Sequence, residues 1–355
     1  HRDGFPSVAG MVDTVSNKPH DVIPFSDVIV IAVPAHVHEH YFKLIAPHVS
    51  PNTVLGVMVA EGGLDWMARD VFGSLLDTHI TLFGMETLPW ACRIKEYGHT
   101  VKVLATKREV DVAAYPSDRT APVCDLLGQL LHPWNEGGCR MQPVFHSVSN
   151  MLSLTLMNIN SVWHPCILYG RFHGWDGQCV FPEHLLFYEG VDDFTASVLD
   201  AVSNEVLRIC DKIRKEYPGV SVEGVMHVEQ WIRRAYSGQI SDVSSLRSCI
   251  NTNSGYKGIL HPMRSMEGLH GFIPDTEYRY WVEDLPCGLI ATRGLAGMLG
   301  VDTPMMDSVI RWMQTLAGKE YLLPTGELSG KDIGETRAPE RFGLDINSVM
   351  DFYQK

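Results

Sequence analysis

The sequence of 355 residues has no long hydrophobic run and no excess of positive charge. No apolar stretch approaches the ~20 residues that a membrane-spanning helix needs, so we expect no membrane association. The net charge of −13 argues against a nucleic-acid partner, because such a surface needs clustered Lys and Arg. The first residues contain no apolar segment of a signal peptide, and we therefore expect a cytoplasmic protein.

Two sequence features that would have defined the protein class are also missing. The eight cysteines include no Cys-x-x-Cys pair, which predicts free thiols in a reducing compartment rather than a disulfide framework. A glycine-rich phosphate turn, G-x-G-x-x-G between a strand and a helix, does not occur in the right context. A dinucleotide-binding domain in this chain is therefore expected to lack its first βαβ unit.

Strand-like and helix-like segments alternate in the first part of the chain. Residues 27–35, 53–60 and 79–87 form apolar runs, which are typical of parallel strands buried on both faces. A fourth strand is predicted at residues 99–106. The alternation predicts an α/β fold with an incomplete Rossmann-like, doubly wound parallel sheet. Ligands of such sheets bind beyond the carboxyl ends of the strands.

The second part of the chain is predicted to be mostly α-helical. Its longest amphipathic segment, residues 192–217, ends at Pro218-Gly219. We place the domain boundary in the Gly- and Pro-rich segment 130–144. This gives residues 1–143 as the Rossmann-like domain and residues 144–355 as the helical domain.

Three histidines, His36, His38 and His40, follow the first strand at alternate positions. On a strand they would share one face and could hold a metal ion. However, Pro34 ends the strand, and helical residues two positions apart do not share a face. We predict no metal site and assign the three histidines to a polar loop and a helix start at the rim of a cleft.

Two other candidates look ordinary when each is considered alone. His164 precedes Pro165 in an apolar segment, which is typical of a core histidine at an irregular helix end or kink. Residues 276–286 contain Arg279, Glu283 and Asp284, and they read as a solvent-exposed charged turn. The spacing of residues therefore does not by itself indicate a catalytic role for His164 or for residues 276–286.

Six motifs together resemble the opine dehydrogenases, particularly the octopine dehydrogenases of marine invertebrates. They are AVPAHVHEHYF, METLPWACRIKEYG, VWHPCILYGRFHGWDG, TNSGYKGILHP, YRYWVEDLPCGL and GKEYLLPTGELSGKDIGETRAPERFG. The resemblance implies a Rossmann domain and a helical domain with the active site between them. It also implies an NAD-dependent oxidoreductase that condenses pyruvate with an amino acid, reduces the imine to an opine with NADH, and regenerates NAD in anaerobic glycolysis.

The resemblance implies roles for individual residues. His164 and Asp284 match a catalytic pair in which the carboxylate orients the imidazole and raises its pKa, so that His164 can act as a general acid near neutral pH. The implied substrate-binding residues are Glu61, Thr87, Cys92 and Trp231, with core packing as an equal alternative for Trp231. The implied cofactor-binding residues are Pro34, Ala35 and Arg279.

Two positions depart from the family pattern. Glu61 stands where related enzymes have a polar amide, and Asn160 stands where arginine-using enzymes are expected to have a tyrosine. The amino-acid substrate therefore stays open among arginine, alanine, glycine, taurine and β-alanine, and we expect a monomer. Two alternatives remain: a hydroxyacid or ketopantoate-type reductase, and a non-catalytic remnant that binds small molecules or a protein.

Overall fold

The computed structural model describes residues 11–131, 143–265 and 270–354. The predicted domain boundary falls largely on residues outside these ranges, so it stays a prediction. The described cysteines are all free thiols, and Cys139 lies outside the described residues. None of the helices in these ranges is long and apolar enough to cross a membrane.

The first part of the chain forms a five-stranded sheet within the described residues. Its strands are β1 (Val28–Ile31), β2 (Thr53–Val57), β3 (Ile80–Met85), β6 (Glu109–Tyr115) and β7 (Val144–Ser147), in the order β1–β2–β3–β6–β7. The first three strands pair in parallel, as predicted. β6 runs antiparallel to β3 and pairs in parallel with β7, which the sequence pattern did not predict.

The predicted fourth strand forms, but it lies outside this sheet. It is β5 (Thr100–Thr106), and it pairs with β4 (Trp90–Glu96) in a separate antiparallel hairpin. The connection is a short turn at Gly98, whose φ of 70° suits glycine. A turn this short joins antiparallel neighbours, so it makes β4 and not a strand of the sheet the partner of β5.

Helices cover both faces of the sheet. They are α1 (His38–Ile45), α2 (Leu64–Phe72), α3 (Leu75–Thr78) and α4 (Thr120–Leu130). α1 buries His38, Phe42 and Ile45, which share one helical face, and packs with α2 against β1 and β2. α4 buries Val123 and Leu127 against the opposite face. The doubly wound class predicted from the sequence is confirmed.

The second part is mostly helical, as predicted, and has its own large core. Its elements are α5 (Met151–Leu156), α6 (Ile159–Phe172), α7 (Asp193–Glu216), α8 (Val228–Ala235), α9 (Leu246–Asn251), the hairpin β8–β9 (Met263–Ser265 and Phe272–Pro274), a π-helical segment (Tyr280–Leu289), α10 (Ile290–Leu299), α11 (Pro304–Leu316) and α12 (Ile346–Asp351). α6 continues through Pro165, so of the two expectations for His164 the helix end is wrong and the kink stays a prediction. His164 instead projects from the middle of a buried helix.

Candidate active site

His164 of α6 lies against the π-helical segment and pairs with Asp284. The His164 Nδ1 and Asp284 Oδ2 atoms are 2.8 Å apart, although the residues are 120 positions apart in the chain. Asp284 is fully buried and His164 is 6% exposed. Tyr280 stacks on the imidazole with ring centroids 3.6 Å apart. The pairing implied by the resemblance is therefore present, and the imidazole is held from two sides.

The electrostatics of this pair differ from the expectation. Burial, together with the nearby Arg279 guanidinium, lowers the pKa of His164 well below its usual value. Burial and the neighbouring Glu283 raise the pKa of Asp284. The predicted rise in the His164 pKa is wrong because burial of the imidazole outweighs the attraction of the carboxylate. A protonated His164 in this site is therefore a stronger acid than a histidine in water.

Three buried carboxyl groups, Glu61, Glu283 and Asp284, form what we term the acidic cluster. Glu61 follows β2, and its Oε2 accepts a hydrogen bond from Asn158 Nδ2. Glu283 Oε1 accepts from the Ala35 backbone N–H at 2.9 Å. The expectation of an exposed charged turn at residues 276–286 is wrong for Glu283 and Asp284. These carboxyls are buried because the π-helical segment carries them into the space between the sheet and α6.

Each carboxyl of the acidic cluster has one oxygen without a hydrogen-bond partner in the described part of the chain. These oxygens are Glu61 Oε1, Glu283 Oε2 and Asp284 Oδ1, and Glu283 Oε2 lies 3.1 Å from Arg279 Nε in an ion pair. Buried polar atoms of native proteins are nearly always satisfied, so these carboxylate oxygens need an explanation. A cationic or hydrogen-bond-donating ligand would supply the missing partners.

Arg337 is buried at the same strand ends. Its guanidinium donates to the carbonyl oxygens of Ala35 at 2.7 Å, Ala60 at 3.0 Å and Gly62 at 3.4 Å, and to His38 Nδ1 at 2.9 Å. We term these five residues the Arg337 network. It ties the segments that follow β1 and β2 to the C-terminal part of the chain.

His38 is a structural member of that network. Its Nε2 donates to the Val33 carbonyl at 2.9 Å, so Nδ1 is free to accept from Arg337. Burial and the Arg337 charge lower the pKa of His38 to about 3, and the ring is neutral. His36 and His40 are exposed, as a rim assignment predicts, but for His38 that assignment is wrong. The described residues contain no group of three His, Cys, Asp or Glu arranged to hold a metal ion.

A second interdomain network surrounds Glu86 at the end of β3. Glu86 accepts from Trp231 Nε1 at 3.2 Å and from Arg234 at 3.4 Å, and Arg234 also donates to Asp111 at 2.8 Å. Burial and the Asp111 charge raise the pKa of Glu86 to about 7. Trp231 is 1% exposed and packs edge-on against Trp163, so its geometry is that of the core-packing alternative.

Of the remaining predicted site residues, three lie on the sheet side, and Arg279 lies at the start of the π-helical segment. Thr87 follows β3 and is buried, and Cys92 lies half-buried on β4, where burial raises the pKa of its thiol. Pro34 is exposed directly beyond β1. Arg279 Nε lies 3.1 Å from Glu283 Oε2, and its side chain is 42% exposed. Glu283 thus links Arg279 to the carboxyl end of β1, leaving part of the guanidinium open to solvent.

Sequence reasoning missed Arg337, Asn158 and Tyr280. Arg337 stands in a motif that carries the resemblance, but nothing in its spacing shows that it reaches the strand ends. Asn158 could have been recognised as a helix start, since its side chain accepts from Ser161 N and caps α6. The stacking of Tyr280 on His164 has no signal in the sequence.

The helical part matches a known protein family. A family described as NAD/NADP octopine/nopaline dehydrogenase, alpha-helical domain, matches residues 147–317. Together with the α/β sheet, this defines a class: two-domain oxidoreductases that use a nicotinamide cofactor.

Curated relatives and solved structures match nearly the whole chain. It is 39% identical to tauropine dehydrogenase of Arabella iricolor, covering 95% of this chain and 82% of the relative. It is 38% identical to octopine dehydrogenase of Pecten maximus, covering 93% and 80%. A solved structure of octopine dehydrogenase with NADH and L-arginine superposes with a TM-score of 0.86 at 35% identity, covering 99% of this chain and 84% of that one. The chain belongs to the opine dehydrogenase family.

Proposed function

We propose that the protein condenses an amino acid with pyruvate and reduces the resulting imine with NADH to an opine. The buried His164–Asp284 pair carries this proposal, because it places a proton donor among carboxylates at the carboxyl ends of the strands. The relatives support it, since those named above are a tauropine and an octopine dehydrogenase. The reaction regenerates NAD, as anaerobic glycolysis requires, and we place the enzyme in the cytoplasm as a monomer.

In this proposal His164 donates a proton to the keto oxygen of pyruvate. Asp284 holds the ring through Nδ1, so that Nε2 is the nitrogen that carries the transferred proton. The lowered pKa makes the protonated ring a strong acid, and it also means that His164 must gain its proton before each transfer near neutral pH. Tyr280 covers the ring and excludes water from that face. Proton transfer by a positioned group of this kind contributes roughly 10²–10⁴-fold to the rate.

The residues at the strand ends fit a nicotinamide cofactor. Exposed Pro34 and buried Ala35 follow β1, and the partly open Arg279 guanidinium presents N–H donors suited to a phosphate. These three residues would hold the cofactor in our proposal. When bound, the cofactor supplies the hydride that reduces the imine carbon. Glu61, Thr87 and Cys92 would line the substrate side, while Trp231 would support it from the core.

The test measures NADH oxidation by the full-length protein with pyruvate and a panel of amino acids. The panel contains arginine, taurine, alanine, glycine and β-alanine. Turnover that requires both pyruvate and an amino acid supports the proposal. Turnover with the keto acid alone would instead identify a hydroxyacid-type reductase, and no turnover with any pair would reject the proposal. Size-exclusion chromatography tests the monomer.

A further inference from the structure

The backbone of Glu61, in the segment that follows β2, is held in an unfavourable conformation by its neighbours. Its backbone φ is 51°, in the left-handed region that residues with a side chain rarely adopt. Arg337 donates to the carbonyls on both sides of it, those of Ala60 and Gly62. Gly62 packs so closely on α10 that a Cβ there would lie 2.9 Å from the Ala291 Cβ. The chain thus places the Glu61 carboxyl against the π-helical segment at the cost of backbone strain.

The side chain is held by one oxygen only. Glu61 Oε2 accepts from Asn158, which caps the helix that carries His164. Glu61 Oε1 has no hydrogen-bond partner among the described residues, and the same holds for Asp284 Oδ1. Glu61 is 2% exposed, so bulk water cannot satisfy that oxygen. A buried carboxylate oxygen without a donor is suited to receive a proton from a ligand.

The proposed reaction needs such an acceptor. An amino acid reaches the enzyme mainly as an ammonium ion near neutral pH, and this nitrogen has no lone pair with which to attack a carbonyl carbon. His164 cannot remove that proton while it serves as the donor to the keto oxygen. We propose that Glu61 is the base that takes the proton from the ammonium group of the amino-acid substrate. This inference rests on the proposed function.

The protons balance in four transfers. The ammonium gives one proton to the Glu61 carboxylate, the freed lone pair forms the C–N bond, and the keto oxygen takes a proton from His164. The protonated nitrogen of this addition product then gives a second proton to His164. The hydroxyl group takes the proton held by Glu61, and the C–O bond breaks to release water. The iminium product is ready for hydride, and both side chains return to their starting protonation states.

The charges around Glu61 suit this role. The groups that face it are the Glu283 and Asp284 carboxyls, the Arg279 and Arg337 guanidinium groups and the Cys287 thiol. Burial, and then the charges of Asp284 and Glu283, raise the pKa of Glu61 well above its usual value. The raised pKa lets Glu61 hold an accepted proton more firmly than an ordinary carboxylate does, and the carboxyl acts as the base in its ionised form.

The test compares wild type with Glu61→Gln, which keeps the size and the contact with Asn158 but cannot take a proton. We expect kcat/KM for the amino acid to fall about 100-fold near pH 7. We expect this deficit to shrink as the pH rises toward about 10, because free amine then forms in solution. Glu61→Asp keeps a carboxylate and should keep the wild-type shape of the pH profile at a lower rate. Exposed Glu327→Gln is the matched control, with no change expected.

A deficit of Glu61→Gln that stays constant across the pH range would overturn the inference, because a merely structural role has no reason to follow the free amine. Equal activity of Glu61→Gln and wild type would also overturn it. If Glu61→Gln does not fold, a pH profile of kcat/KM that is flat in Glu61→Asp would overturn the inference. Absence of turnover by wild type is a separate result, which rejects the proposed function itself.

Discussion

The Arg337 network and the acidic cluster both lie at the segments that follow β1 and β2, and both bury ionisable groups. In the Arg337 network the buried guanidinium donates hydrogen bonds to four acceptors, which are three backbone carbonyls and one imidazole nitrogen. In the acidic cluster, Glu61, Glu283 and Asp284 each keep one oxygen without a hydrogen-bond donor among the described residues, and that of Glu283 has an ion-pair partner in Arg279.

This difference separates a structural site from a reactive one. A satisfied buried network stabilises a single arrangement, whereas unsatisfied buried oxygens cost free energy that a bound substrate can recover. Raised carboxyl pKa values, those of Glu61 and Asp284, accompany the unsatisfied side, whereas a lowered histidine pKa occurs in both regions, at His164 and at His38. Perturbed titrating groups of this kind are typical of catalytic sites.

The largest expected effect is on the reactive side. His164→Gln should lower kcat/KM by roughly 10²–10⁴-fold, because the proton donor is lost. NADH binding, followed by fluorescence titration, should change little. His40→Gln, at an exposed position, is the control. Unchanged turnover in His164→Gln would show that the acidic cluster and His164 do not form the reactive site.

The next effect is on the structural side. Arg337→Met should lower the free energy of unfolding by about 3 kcal/mol, because buried carbonyls lose their donor. Denaturant unfolding measures it. Arg341→Met is the comparison: Arg341 pairs with Glu39 nearer the surface, so about 1 kcal/mol or less is expected. Equal losses of unfolding free energy in the two variants would show that the Arg337 network stabilises the fold no more than a pair near the surface does.

The pH dependence of stability tests the neutral His38. Its pKa is about 3 in the folded protein and near 6.5 when unfolded, so only the unfolded chain gains a proton as the pH falls between these values. This linkage lowers stability by about 2 kcal/mol between pH 8 and pH 5. His38→Asn keeps an acceptor for Arg337 and should lose that part of the acid sensitivity. His40→Asn should retain it; identical pH profiles for all three proteins would contradict a buried neutral ring.

The smallest expected effect concerns Arg279, at the border of the acidic cluster. Arg279→Lys should weaken NADH binding about tenfold, because an ammonium group cannot make the paired contacts of a guanidinium with phosphate. The dissociation constant should rise while kcat changes little. Arg247→Lys, where an exposed arginine pairs with Asp193, serves as control. An unaltered dissociation constant would exclude Arg279 from the cofactor site.

Local pattern was sufficient for the elements that bury a continuous apolar face. The runs that became β1, β2 and β3 were predicted because parallel strands are apolar on both sides. Local pattern did not predict the partner of β5, which is set by a short turn. It also did not predict the burial of Glu283 and Asp284, because their charge suggested exposure. Charged residues are buried only when distant groups compensate them, and a local pattern does not show distant groups.

By itself the sequence determined the fold class, the family and the residue types available for proton transfer. These properties follow from periodicity and from motifs that are contiguous in the chain. Only the tertiary structure decided which ionisable groups meet: it brings His164 to Asp284 and Arg337 to the carbonyls around Glu61. Their pKa values depend on burial and on charges from remote segments, so the same histidine side chain is structural at position 38 and is placed for catalysis at position 164.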